Sequence, residues 1–353
     1  MFEVYATTRY QRIEPIGIGE GMNSMVFRAF DPYLQREIAV KEIEKSRFGN
    51  DFDAYCNEAR LMFAVSDPNI VDIVYVCETN DHIGLALPYF PDGSLQARIK
   101  DKPLGLRDLM KISQRILHGV GRIHSKRLLH LDLKPSNVLF NSSGTPLIAD
   151  FGHSRRLSAT GTVTFPAMYR WAMPPEVWQT HVATAQSDIH QLGGLLYRCA
   201  NGNPLYDLQK SAITTNDELQ RRIVKGRFPD SRVFLPHVPK RIRTIIRKAL
   251  KAEPSERFHS ASEFAAVLGR VSIPLDWITT PLGGGAYVWR AARPDSSDLE
   301  VELIRSGTSG WETRVWTIGK QKRAKGKSEY WITTADYDQA CTHLTEVFGE
   351  LNR

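Results

Sequence analysis

His130-Leu131-Asp132-Leu133-Lys134-Pro135-Ser136-Asn137, followed by Asp150-Phe151-Gly152, is the stretch on which the reading of this chain turns. It is a short polar segment set between apolar runs. Asp132 can accept a proton from a hydroxyl group. Asn137 and Asp150 can present oxygens to Mg²⁺, a hard cation that prefers oxygen ligands. Lys134 can offset charge on a moving phosphoryl group. A solvated loop could carry any one of these residues; their order and spacing together are what point to phosphate transfer.

Toward the N-terminus, Lys41 closes Ile38-Ala39-Val40-Lys41. A lysine in an apolar strand needs an anionic partner if it is buried. Glu58, on the helical stretch that follows, can supply it and hold Lys41 against nucleotide phosphates. Farther upstream, Gly19-Glu20-Gly21-Met22-Asn23-Ser24-Met25-Val26 fits Gly-x-Gly-x-x-Gly-x-Val, with Ser24 in the place of the third glycine. Glycine lets backbone N–H groups come close to a charged ligand. The stretch sits between two strand-like runs, where a strand-to-helix dinucleotide turn does not fit.

Taken together these motifs resemble the eukaryotic-like (Hanks-type) serine/threonine protein kinases over about residues 10–270. The resemblance implies ATP and Mg²⁺ as cofactors and a protein hydroxyl as acceptor. It implies that Gly19, Gly21 and Ser24 cover the ATP phosphates, and that Val26, Ala39 and Leu139 line the adenine. Leu87-Pro88-Tyr89-Phe90 would be the hinge, with Leu87 guarding the back pocket. Lys41 would bind phosphate and pair with Glu58. Asp132 would be the catalytic base, assisted by Lys134, with Asn137 and Asp150 as metal ligands. Asp132-Leu133-Lys134-Pro135-Ser136-Asn137 resembles serine/threonine rather than tyrosine kinases. Pro174-Pro175-Glu176 resembles the end of the activation segment, Arg257 the arginine that pairs with that glutamate, and Asp188 the aspartate that braces the catalytic loop.

The pattern breaks in two places. Leu131 stands where an arginine usually grips a phosphate on the activation segment, and leucine cannot do so. Activity is therefore expected not to need phosphorylation of that segment through this route. Tyr169 occupies the position of a threonine that bridges the catalytic aspartate and lysine; Thr162 or Thr164 could replace it if the segment bulges. Arg155 and Arg156 are read as solvated, with an acidic substrate as the alternative.

The expected fold class is α+β: a bilobal kinase fold, followed by a small α+β domain of antiparallel strands and a terminal helix. The expected boundaries are an N-lobe at 1–90, a C-lobe at 91–270, a linker at 271–286 and the small domain at 287–353. Strands are expected from Ile13 to Gly19, Met25 to Phe30, Glu37 to Glu42, Ile70 to Cys77 and Ile83 to Tyr89, with a helix from Asp53 to Val65. Helical periodicity marks Leu106 to His124, Asp188–Ala200, Asn216–Lys225, Pro239–Lys251 and Ser260–Leu268. Pro274, Pro281 and Gly283-Gly284-Gly285 suggest the linker. Strand-like runs at Tyr287–Ala292, Leu299–Arg305, Glu312–Ile318 and Glu329–Thr333, then a helix at Asp336–Leu351, build the last domain; the segment from Val271 onward holds five of the seven tryptophans.

Apolar content of 42% and charged content of 24% suit an ordinary globular protein. Four dispersed cysteines with no Cys-x-x-Cys pair argue against a zinc site and a disulfide framework. The N-terminal residues show no apolar signal core, and no run is long enough to span a bilayer, so a cytoplasmic protein is expected. The net charge of +7 suits anionic ligands such as nucleotides. Residues 271–353 carry 10 basic and 11 acidic groups, so the basic excess belongs to the kinase-like part. Lys320-Gln321-Lys322-Arg323-Ala324-Lys325-Gly326-Lys327 reads first as a solvated turn and second as a nucleic-acid or acidic-partner contact. The leading function is a serine/threonine kinase whose C-terminal domain binds a partner or substrate. The alternatives are a nucleotide-binding pseudokinase scaffold and a kinase whose tail binds nucleic acid.

Overall fold

The computed structural model describes residues 8–16, 24–47, 52–164, 169–293, 297–307, 310–318, 322–323 and 330–352. Gly19 and Gly21 lie outside them, as does most of the lysine-rich run at 320–327.

The first lobe is a five-stranded antiparallel sheet in the order β1-β2-β3-β5-β4. Its strands are β1 (Gln11–Ile16), β2 (Ser24–Asp31), β3 (Arg36–Glu44), β4 (Tyr75–Glu78) and β5 (His82–Pro88), with helix α1 (Phe52–Ala64) between β3 and β4. The two-residue period of β3 assigns its faces. Ile38 and Val40 join Ala29 and Ala86 in one apolar cluster, while Ala39 and Lys41 face the other way. The strand expected from Ile70 begins only at Tyr75. Its upstream backbone is taken by the second lobe: Ile148 N–H donates to the Asn69 carbonyl at 2.8 Å, and Val71 N–H to the Ile148 carbonyl at 2.9 Å.

The second lobe is mainly helical: α2 (Leu95–Arg98), α3 (Leu106–Ser125), α4 (Pro175–Thr180), α5 (Ala185–Ser211), α6 (Asn216–Val224), α7 (Lys240–Ala249) and α8 (Ala261–Gly269). Leu109, Ile112, Ile116, Val120 and Ile123 make the buried stripe of α3, as their spacing dictates. The long α5 is kinked at Gly202, whose φ of 76° is open to glycine at little cost. Short strand pairs β6 (Leu128–Leu129) with β9 (Arg155–Arg156), β7 (Val138–Phe140) with β8 (Pro146–Ile148), and β10 (Val163–Thr164) with β11 (Val182–Ala183) shape the polar loops.

Residues 271–286, expected as a linker, are instead ordered and partly buried. Leu275 and Trp277 are in the core, and β12 (Ile278–Gly283) pairs with β13 (Ala286–Ala291). The glycines that suggested a connector make the tight turn between these strands: Gly283, Gly284 and Gly285 all have positive φ, at 89°, 58° and 87°. Beyond them come β14 (Leu299–Ser306), β15 (Gly310–Thr317), β16 (Lys322–Arg323) and β17 (Ile332–Thr334), completing a six-stranded antiparallel sheet, and the closing helix α9 (Tyr337–Leu351).

The C-terminal unit is packed directly on the second lobe. The Trp277 and Trp289 rings meet Phe348 edge-on at 4.9 and 5.3 Å. Trp289 Nε1 donates to His237 Nδ1 at 3.0 Å. The α3 N-terminus, preceded by Gly105 with no side-chain cap of its own, is capped from this junction: Arg107 N–H donates to Asp276 Oδ1 at 2.9 Å.

His237 is fully enclosed, and burial together with the Arg243 guanidinium pushes its pKa down to about 3. Neutral when folded but protonated below about 6.5 when unfolded, it costs stability as pH falls from about 6.5 toward 3. His130 and His190 shift the same way, burial being the first cause in each. His237 alone should remove about 2 kcal/mol between pH 7 and pH 5. In His237→Asn, the amide oxygen can still accept from Trp289 but cannot titrate. Thermal melts should show a smaller loss between pH 7 and pH 5 in that variant than in the parent chain.

Candidate active site

The β2–β3–β5 register builds one wall. Val26 lies opposite Lys41, Ala39 opposite Leu87, and Lys41 opposite Leu85, so all five side chains share a sheet face. Ser24 opens β2 beside this face. Helix α1 carries Glu58 in: Lys41 Nζ donates to its Oε1 and Oε2 at 2.8 and 3.0 Å. The same ammonium donates to Asp150 Oδ1 at 2.7 Å. Burial alone would lower the Lys41 pKa, but the charges of Glu58 and Asp150 outweigh it and raise it. Burial would raise the Asp150 pKa, yet Lys41 holds it well below the usual carboxylate range. Lys41 and Asp150 thus favour each other's charged form. Gly152 fits beside them: a Cβ there would stand 3.4 Å from Lys41 Nζ and 3.3 Å from Asp150 Oδ1.

On the opposite side the polar loop of residues 130–137 is hung from α5. Asp188, fully buried, accepts from His130 N–H at 2.9 Å, from Leu131 N–H at 2.8 Å and from His124 Nε2 at 2.7 Å. These bonds hold Leu131 in a left-handed conformation, φ 66°, which costs a non-glycine residue about 1–2 kcal/mol. Asp132 follows at once. Its Oδ2 accepts from Lys134 Nζ and Asn137 Nδ2, both at 2.8 Å, and His153 Nδ1 stands 3.8 Å away. Its Oδ1 is buried and has no hydrogen-bond partner among the described residues. An orphaned carboxylate oxygen is costly unless a donor arrives, and a substrate hydroxyl is such a donor.

The β7–β8 hairpin places the two proposed metal ligands side by side. Val138 pairs with Ile148, and Ala149 N–H donates to the Asn137 carbonyl at 2.9 Å, leaving Asp150 next along. Asn137 spends its amide N–H groups on Asp132, which leaves Oδ1, touched only by the Ser136 hydroxyl at 3.5 Å among the described residues, as the oxygen a cation could take. One ionised carboxylate and one amide oxygen suit Mg²⁺, which keeps several waters and takes its other ligands from phosphates.

The remaining expected residues lie on both lobes. Leu87 packs against the main core, and the Arg28 guanidinium lies 5.2 Å over the Tyr89 ring. Leu139 approaches from the second lobe, bridging to Ser94. Glu176 and Arg257 form a two-point ion pair at 2.9 and 2.7 Å, and Ser187 Oγ donates to the same carboxylate at 2.7 Å. Neither Thr162 nor Thr164 takes the bridging position at Asp132: Thr162 bonds Ser158 and Thr160, and Thr164 pairs with Val182. Instead the Tyr169 ring lies 5.0 Å from Lys134 Nζ. Sequence reasoning missed Gln191, whose amide contacts the backbone on both sides of Asp132.

The chain that carries this site has relatives. Residues 10–266 match the protein kinase domain family, and the chain belongs to it. Serine/threonine-protein kinase PrkC of Bacillus subtilis is 29% identical over 265 residues, covering 73% of this chain and 40% of that protein. The probable serine/threonine-protein kinase PknB of Lactococcus lactis is 29% identical over 261 residues, covering 72% and 40%. Serine/threonine-protein kinase STY46 of Arabidopsis thaliana is 26% identical over 263 residues, covering 72% and 45%. The chain thus spans about two fifths of the length of the two bacterial relatives. Among the described residues no helix is long and apolar enough to cross a membrane.

The Glu176–Arg257 pair ties the end of the activation segment to the base of the lobe, and Arg257 has no exposed side-chain surface. Removing either partner leaves the other buried without its counter-charge, though still hydrogen-bonded, at a cost of up to about 3–5 kcal/mol. Glu176→Ala and Arg257→Ala should each lower stability by that order in denaturant titrations. The double variant should lose less than the sum of the two.

Proposed function

We propose that this chain transfers the γ-phosphoryl group of ATP to serine or threonine hydroxyls of a protein substrate. The observation that carries the reading is the unpartnered Oδ1 of Asp132, set beside Lys134 and Asn137. Asp132 orients the acceptor hydroxyl and takes its proton as the new phosphate ester forms. Lys134 and Lys41 place positive charge where the transferred group develops negative charge. Glu58 keeps Lys41 aimed inward. Val26, Ala39 and Leu139 hold the adenine from above and below, and backbone groups at 87–90 hydrogen-bond its edge. Asn137 and Asp150 would hold Mg²⁺, which would supply positive charge against the phosphates. Gly19 and Gly21 are assigned to the phosphate-covering turn from the sequence motif.

The finer reading is that the activation segment docks without a phosphate. Leu131, in the usual arginine position, is fully buried with Leu129, Met173, Val177 and Ala183, and Leu157 and Val163 of the segment pack against this cluster. An apolar contact supports what a phosphate–arginine contact would otherwise do. The segment's hydroxyls are also occupied locally: Ser158, Thr160 and Thr162 bond one another at 2.8–3.2 Å, and Arg127 donates to the Ser158 carbonyl. For the C-terminal unit, partner or substrate binding is supported by its outer sheet face, where Trp316 and Trp331 meet at 4.7 Å beside partly exposed Arg314.

Radiolabelled ATP transfer is the direct assay. Asp132→Asn and Lys41→Ala should each remove at least about 99% of turnover while the chain stays folded, since both groups act on the reacting atoms. No transfer by the parent chain to any of several protein substrates, with nucleotide binding intact, would favour the scaffold reading. Replacing Ser158, Thr160, Thr162 and Thr164 together with alanine should leave turnover within about threefold, because no buried interaction is lost. Leu131→Arg should lower both stability and turnover by placing an unpaired charge in the apolar cluster.

A further inference from the structure

Gln191 lies one turn beyond Asp188 on α5 and is almost fully buried. Its Oε1 accepts from Leu133 N–H at 2.9 Å. Its Nε2 donates to the Leu131 carbonyl at 3.0 Å and approaches the Ala172 carbonyl at 3.4 Å. The Leu133 N–H can pair only with an oxygen, which fixes the orientation of the amide. Asp188 takes the N–H groups of residues 130 and 131, and Gln191 takes the next free N–H, at 133, together with the intervening carbonyl. The peptide groups before and after Asp132 are therefore clamped by one neutral side chain. That side chain also reaches Ala172, at the substrate end of the activation segment.

We propose that Gln191 is a positioning residue for phosphoryl transfer, coupling the activation segment to the backbone that aims Asp132. This rests on the kinase reading above and adds a link that needs no phosphate. An amide is suited to the task because it offers a donor and an acceptor at once and carries no charge into a buried site. A serine or alanine at 191 would not span from Leu133 N–H to the Ala172 carbonyl. Loss of the clamp would let Asp132 Oδ1 wander relative to the acceptor hydroxyl, and misplacement of about 1 Å costs on the order of 100-fold in rate. The Lys41–Glu58–Asp150 group, which shares no hydrogen bond with Gln191, would keep its grip on nucleotide.

The experiment compares the full chain with Gln191→Met, which keeps length and volume but removes the hydrogen bonds, and with Gln191→Ala. Transfer from ATP to a protein substrate is measured alongside ATP affinity and thermal melting. The expected result is a fall in kcat of about 10- to 100-fold. The KM for ATP should stay within about twofold, and the melting curve of Gln191→Met should lie close to the parent's. Unchanged kcat in either folded variant overturns the proposal. So does a loss of rate that tracks loss of ATP binding or of the folded state, since that is what a merely structural residue would show. If the parent chain itself transfers no phosphate, the kinase reading fails first, and that outcome is distinct from a parent that works and variants that work equally.

Discussion

A carboxylate with no exposed surface governs this structure. Asp188 enters the interior on α5 and must find donors there, because a buried unpaired charge is too costly to keep. It finds them in His124 at the end of α3 and in two successive N–H groups of the catalytic loop. The loop can turn through a left-handed leucine only because those N–H groups are captured. Everything that Asp132, Lys134 and Asn137 do depends on where that turn leaves them.

The facing half of the site obeys the same rule with the opposite sign. Lys41 is tolerated in an apolar strand because two carboxylates surround its ammonium group. The two carboxylates come from distant segments, α1 and the loop after β8, so satisfying one cation draws the first lobe onto the second. Charge compensation here also sets geometry: it holds the Lys41 ammonium against Asp150, two residues beyond the Ile148 that pairs with Val138.

Much of this was legible in the sequence because charged residues inside apolar runs demand partners, and the order of Lys41, Glu58, Asp132, Asn137 and Asp150 names them. Glu176 and Arg257 were legible only through the resemblance to the kinase family. Less visible were features that depend on which backbone pairs with which. The strand expected from Ile70 starts later because Asn69 and Val71 bond Ile148, a partner far along the chain. The glycines and prolines after 271 gave a loop signal, and a tight hairpin gives the same signal; nothing local announces that Trp277 and Trp289 will be enclosed. Gln191 was invisible because a neutral residue in a helical pattern makes no demand of its own. Only the fold reveals that the loop's peptide groups need it.

The cap that Asp276 places on α3 joins two distant events. That helix runs from Leu106 to Ser125, about 30 Å at 1.5 Å per residue. At its far end His124 holds the oxygen of Asp188 that also receives the catalytic-loop backbone. A single rod therefore connects the root of the C-terminal unit to the chemistry. The C-terminal unit and the loop that carries Asp132 thus share one structural support, fastened at both ends by a carboxylate.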